Sequence, residues 1–174
     1  MSNRHGADSN RLMKQLFFGF IVILLYSPVH IMSLPSVNFS EEVDQRSYWL
    51  GSINSFSEMV AVGLKKLALS PAISPEEMDR IEADIRAIAA SSGIKAYREN
   101  DLIVTDLFPA DVAKGKDVML LYKGSTLDEY LALKQEKAVL VKSGEYRGEA
   151  RREIAMRFGR LLSYPDSYLE QKLD

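Results

Sequence analysis

The chain contains no cysteine and only two histidines, His5 and His30. Residues 36–174 therefore carry neither residue type. That absence excludes disulfides, Cys/His zinc centres, thiol nucleophiles and histidine acid–base chemistry from most of the chain. Internal repeats, heptad arrays and low-complexity tracts are also missing. So is an excess of basic charge. The 22 Lys and Arg against 24 Asp and Glu leave a net charge of −2 at neutral pH. Such a balance lacks the broad positive field that nucleic acid requires, so nucleic acid is not an expected partner. No motif asks for a cofactor, and none is expected.

What is present reads as an ordinary globular protein. The 174 residues are 47% hydrophobic and 26% charged, enough for one domain behind an N-terminal segment. Charge is uneven along the chain. Residues 36–113 hold 7 basic and 13 acidic side chains, whereas residues 134–160 hold 8 basic and 4 acidic. The basic stretch suits either one anionic ligand or a solvated helix face.

The N-terminal segment sets the expected compartment. Gln15–Pro35 reads QLFFGFIVILLYSPVHIMSLP, without an Asp, Glu, Lys or Arg. At about 1.5 Å per residue a helix of that length spans a hydrocarbon core. Arg4, Arg11 and Lys14 precede it, and Glu41, Glu42 and Asp44 follow it. The positive-inside rule then makes residues 1–35 a cytoplasmic tail plus anchor, held in the membrane by residues 15–34. Residues 36–174 become a single extracytoplasmic domain. A cleaved signal peptide is a second option, with Ile31-Met32-Ser33 as a poor cleavage site. A true start at Met32 is a third, and it makes the protein cytoplasmic.

Apolar spacing at Ile53, Phe56, Val60, Leu64 and Leu67 predicts one amphipathic helix over 47–69. Ser74-Pro75-Glu76-Glu77 marks the start of another, with Met78, Ile81, Ile85 and Ile88 as its buried stripe and Gly93 at its end. Ile94–Tyr97 and Leu102–Thr105 read as a hairpin around the turn-rich Arg98–Asp101. Val118–Tyr122, VMLLY, is a continuous apolar run that suits a central strand. Helices follow over 126–142, about 145–162 and 166–173. The expected fold class is α+β: a small, mainly antiparallel sheet of about three strands packed by four to five helices, preceded by the N-terminal hydrophobic segment.

Chemistry is sought first in the link Asp106–Asp117, about 12 residues between expected strands. It carries Asp106, Lys114 and Lys116 with Gly115 between the lysines. It is not a P-loop: Ala110 stands at the required glycine and Asp117 at the required Ser or Thr. Lys123 opens the turn into the next helix, where outward N–H groups favour anions. Thr126 and Glu129 there also have the spacing of a capping box. Arg147 and Arg151 are i,i+4 neighbours on the expected helix and so share a face, and an Arg pair can clamp a carboxylate or phosphate. The best single carboxylate is Asp106, as a general base or, with Glu99 and Asp101, as an oxygen ligand. No metal site is assigned.

Phe158-Gly159-Arg160-Leu161-Leu162-Ser163-Tyr164-Pro165-Asp166-Ser167-Tyr168-Leu169 resembles a short motif of an uncharacterised prokaryotic family, roughly FGRLLGYP-acid-Cys-Cys-apolar. Ser163 replaces its glycine, and Ser167-Tyr168 replace its two cysteines. The resemblance covers about a dozen residues and implies no activity.

Two functional expectations follow. One is a small non-catalytic binding or interaction domain, membrane-anchored, for a partner protein of unknown identity. The other is a His/Cys-independent enzyme or an anion-binding protein for a small phosphorylated or carboxylated ligand. Its pocket would gather Asp106, Lys114, Lys116, Lys123 and Arg151. The apolar stripes all lie beyond Ser36, so residues 36–174 are expected to fold without residues 1–35. A truncated chain that melts cooperatively in detergent-free buffer meets this expectation; one that stays molten or insoluble contradicts it.

Overall fold

A computed structural model describes residues 44–174 of the protein. The apolar run over 15–34 and both histidines lie outside the described residues. Among the described residues, no helix is long and apolar enough to cross a membrane. In chain order they form α1 (Gln45–Ala61), β1 (Leu67–Leu69), α2 (Pro75–Ser91), β2 (Lys95–Glu99), α3 (Ala110–Ala113), β3 (Val118–Tyr122), α4 (Thr126–Ser143), α5 (Gly148–Leu161) and α6 (Asp166–Leu173). The fold is α+β, with a three-stranded antiparallel sheet in the order β1-β3-β2.

Strand β3 occupies the middle, as its apolar run predicts, and all five of its residues are buried. Leu120 pairs with Leu69 on one side and Tyr97 on the other. Alternation along the strand then supplies two cores. Val118, Leu120 and Tyr122 join Tyr130, Leu133, Ile154 and Phe158 from α4 and α5. Met119 and Leu121 join Ile53 and Val60 from α1 and Met78, Ile81 and Ile85 from α2. The sheet is thus a middle layer with helices on both faces.

The start of α2 follows from its sequence. The Ser74 hydroxyl accepts from the Glu77 N–H at 3.3 Å and donates to the Glu77 carboxylate at 2.8 Å, and Pro75 takes the first helical position.

Four local expectations are corrected. The helix expected over 47–69 stops at Ala61, because Gly63 turns with φ +80°. Leu67 continues the helical spacing by coincidence and lies in β1 instead. The hairpin between Ile94–Tyr97 and Leu102–Thr105 does not form: Arg98 and Glu99, expected in its turn, continue β2 opposite Met119 and Val118. Leu102 and Ile103 are still buried, in a segment outside the sheet. The link Asp106–Asp117 contains α3 rather than being irregular throughout. Thr126 and Glu129 do not make a capping box: the Thr126 hydroxyl turns back and donates to the Lys123 carbonyl at 2.9 Å.

Two polar networks hold the long β2–β3 connection. Arg98 on β2 donates to buried Asp117 at 2.6 Å and to Glu82 on α2 at 2.9 Å, with Asp79 as a further partner. Burial pushes the Glu82 carboxyl up, but hydrogen bonds from Arg86 and Arg98 outweigh it and hold the group below its ordinary range. On the opposite side, buried Glu99 accepts from the Tyr130 hydroxyl at 2.9 Å and from Lys134 at 3.0 Å. Tyr130 accepts in turn from the Ile103 N–H at 3.3 Å. Burial, and then the Glu99 carboxylate, raise the Tyr130 phenol well above its ordinary range, so it stays a donor.

Leu120 is fully enclosed between the α4–α5 layer and its neighbours in the sheet. Leu120→Asp places an unpaired carboxylate there, at a cost of several kcal/mol. The expected result is loss of the cooperative thermal transition in circular dichroism. A transition near that of the parent chain would contradict a central β3.

Candidate functional site

The structure brings together two of the five residues expected to bind a ligand. Arg151 on α5 donates through Nε to both Asp106 oxygens, at 3.0 and 2.9 Å, and also through Nη2. The pair therefore consumes its own charges, and the carboxylate holds the Arg151 guanidinium above even its usual high range. Lys114 and Lys116 stand exposed beyond α3. Lys116 precedes β3 and Lys123 follows it, so an extended strand separates them by roughly 20 Å. Lys123 reaches the Ala61 carbonyl at 3.4 Å instead. The pocket expected from Asp106, Lys114, Lys116, Lys123 and Arg151 is not assembled, because Leu102–Thr105 is no strand beside β3.

The other charged candidates are also engaged. Lys134 lies 3.0 Å from Glu99 and 3.3 Å from Asp101, so an ammonium sits where those carboxylates would hold a cation. Arg147 stands just before α5 in extended backbone, so it does not share a helical face with Arg151. The remaining arginines of α5 pair across elements: Arg152 with Asp174, Arg157 with Glu136 and Arg160 with Asp166. Each is at least partly exposed and contributes little stability individually. With Lys134 and Arg151 they leave Lys137, Lys142 and Arg147 as the basic side chains of residues 134–160 without an ion pair among the described residues.

A cleft of about 520 Å³ opens elsewhere, between α1, β1 and the corner joining α5 to α6. Tyr48 and Phe56 face it from α1, Phe108 from the β2–β3 connection and Tyr164 from the corner. Phe108 is fixed edge-on against buried Phe158 at 5.7 Å, and Tyr164 stacks near Tyr168 at 5.2 Å. Lys65, just before β1, donates to the Leu162 carbonyl at 3.0 Å and lies 5.6 Å from the centre of the Tyr164 ring. Lys65 is the one charged side chain among the described residues lining this cleft. The size and the apolar walls are those of a small-molecule site.

The corner is built by the segment Phe158–Leu169. Gly159 faces buried Leu169: an added Cβ would come within 2.3 Å of one Leu169 methyl and 2.9 Å of a Leu107 methyl. Ser163 turns the chain with φ +65°, a left-handed conformation that suits glycine. Its hydroxyl accepts from the Lys66 N–H at 2.9 Å, which offsets the strain and ties the corner to the start of β1. Arg160 and Asp166 pair across the corner, and this holds the Asp166 carboxyl below its ordinary range.

A second hollow, of about 270 Å³, runs along Leu102–Val104 between Lys134 and Lys137. Burial lowers the Lys137 ammonium below its ordinary range, against the pull of Asp101. Lys137 lies 5.2 Å from the Tyr146 ring centre, and the buried Tyr146 hydroxyl has no hydrogen-bond partner among the described residues. None of the residues that form the large cleft was singled out from the sequence as a ligand contact. Its aromatics are scattered from Tyr48 to Tyr164, and nothing in their spacing announces that they meet. In comparisons with known proteins, no family model matches the chain, and no curated protein or solved structure matches it either.

Gly159→Ala is expected to displace Leu169 and loosen α6, at a cost of about 1–3 kcal/mol. A thermal melt of the variant checks the cost. Amide exchange checks its place, with faster exchange expected in α6 and unchanged exchange in α2; an unaltered melt would show that the corner has room.

Proposed function

We propose that residues 44–174 act as a non-catalytic binding domain that holds a small molecule in the cleft between α1 and the α5–α6 corner. The single observation that carries this is a half-open cleft of about 520 Å³ whose lining includes four aromatic side chains and, among the described residues, one ammonium, Lys65. Phe108 and Tyr164 are braced from behind, so the walls are organised before a ligand arrives, which lowers the cost of binding. The alternative, an enzyme or anion site on the Asp106–Asp117 link, needs free and converging charges. Asp106 is instead spent on Arg151, and Lys116 and Lys123 lie at opposite ends of β3.

Within the same proposal, residues 15–34 tether the domain to a membrane with residues 36–174 on the extracytoplasmic side. The support is the uncharged apolar run and the charges flanking it. A tether would leave the cleft domain to meet its ligand near the membrane surface. The Phe158–Leu169 resemblance adds no substrate, but its Leu162 and Tyr164 positions belong to the cleft wall.

Ser55 lines the cleft and is exposed on α1, so Ser55→Trp should fill the space without disturbing either core. A ligand-observed NMR screen of aromatic fragments is expected to give hits with the parent chain that vanish in this variant while its melt is retained. Hits that survive the substitution would move the binding site elsewhere. On the tether, cell fractionation is expected to find the full chain with membranes and a chain lacking residues 1–31 in the soluble fraction. Recovery of both in the soluble fraction would contradict it.

A further inference from the structure

We infer that the cleft selects a small monocarboxylate with a flat apolar body, its carboxylate on the Lys65 ammonium and its body between the aromatic walls. This rests on the cleft being the binding site, and adds the chemical class of what enters it. Lys65 is half-buried yet makes no ion pair among the described residues. That sets it apart from Lys134 and from Arg151, Arg152, Arg157 and Arg160, each of which meets a carboxylate. Its hydrogen bond to the Leu162 carbonyl uses one of three N–H donors and fixes the ammonium at the cleft wall. The two remaining donors suit the two oxygens of a carboxylate.

The rest of the lining restricts the charge and the shape. Among the described residues no acidic side chain lines the cleft to repel an anion. One ammonium balances one negative charge, which favours a monocarboxylate over a phosphate monoester, whose second charge would go unpaired. The Ser70 hydroxyl is already committed, donating to the Pro71 carbonyl at 2.8 Å and accepting from the Met119 N–H at 2.9 Å. Ser55 likewise donates to the Gly51 carbonyl at 3.1 Å. A flat apolar body can stack on Phe56, Phe108 and Tyr164.

The test uses 2-naphthoate and its uncharged analogue 2-naphthamide as probes, titrated into the full chain by calorimetry. The parent chain is expected to bind the naphthoate about tenfold more tightly than the amide, the worth of one charged hydrogen-bonded pair. Lys65→Met keeps the apolar stem and removes the charge, and should bring the two probes to equal affinity. Lys65→Arg should retain the preference for the anion. Equal affinity for both probes in the parent chain would overturn the carboxylate assignment while leaving the cleft as a binding site. A preference that persists in Lys65→Met would overturn the role of Lys65. Binding of neither probe would overturn both the ligand class and the cleft site, and the parent-chain comparison reads these outcomes whether or not a variant folds.

Discussion

Strand β3 has no face that water could wet, and the remaining elements are arranged around that constraint. Five consecutive apolar residues leave side chains on both sides of one strand, so helices are needed above and below it. The backbone of β3 also needs hydrogen-bond partners on both edges, which β1 and β2, both earlier in the chain, supply one on each side. α1 and α2, which precede the strand, close one face, and α4 and α5, which follow it, close the other. The chain therefore wraps its own middle. The outer edge of β2 is blunted as well, since Arg86 donates to the Ala96 carbonyl at 2.9 Å.

Charge then sorts itself by what the layers leave uncovered. The connection between β2 and β3 carries polar backbone into partly buried ground, and it is held by Arg98 with Asp117 on one side and by Glu99 with Tyr130 and Lys134 on the other. These groups are hydrogen-bonded at nearly every buried position, and removing one member would strand its partner without water. The arginines of α5 are tied to Asp106, Glu136, Asp166 and Asp174, elements apart in sequence. Lys65 is left without an ion pair among the described residues, beside the corner that Gly159, Ser163 and Pro165 shape, and Lys137 is left so in the smaller hollow. Among the described residues, Lys65 is the one charge that lines the cleft.

Much of this was legible in the residues themselves. VMLLY announced a central strand because no other short element tolerates apolar side chains on every position. Ser74-Pro75-Glu76-Glu77 announced a helix start because capping is local chemistry, complete within one turn. Local reading failed where tertiary pairing decides. Leu64 and Leu67 keep the helical spacing, yet the turn at Gly63 sends Leu67 into a strand. Leu102–Thr105 has strand character, but the turn expected before it is taken up by Arg98 and Glu99, which extend β2 along β3. Asp106 and Arg151 were both singled out, and only the fold shows that they neutralise each other across 45 positions of sequence. Lys65 carried no signal at all, since it falls inside the helix expected over 47–69, where a lysine is ordinary.

The proposed function needs a ligand to sit in the cleft between α1 and the α5–α6 corner. A crystal structure of the protein grown with 2-naphthoate tests it most directly. The predicted result is the naphthalene ring lodged among Phe56, Phe108 and Tyr164, with a carboxylate oxygen within hydrogen-bond distance of Lys65 Nζ. An empty cleft, with the ligand bound instead along the Asp106–Asp117 connection or beside Lys137, would contradict it.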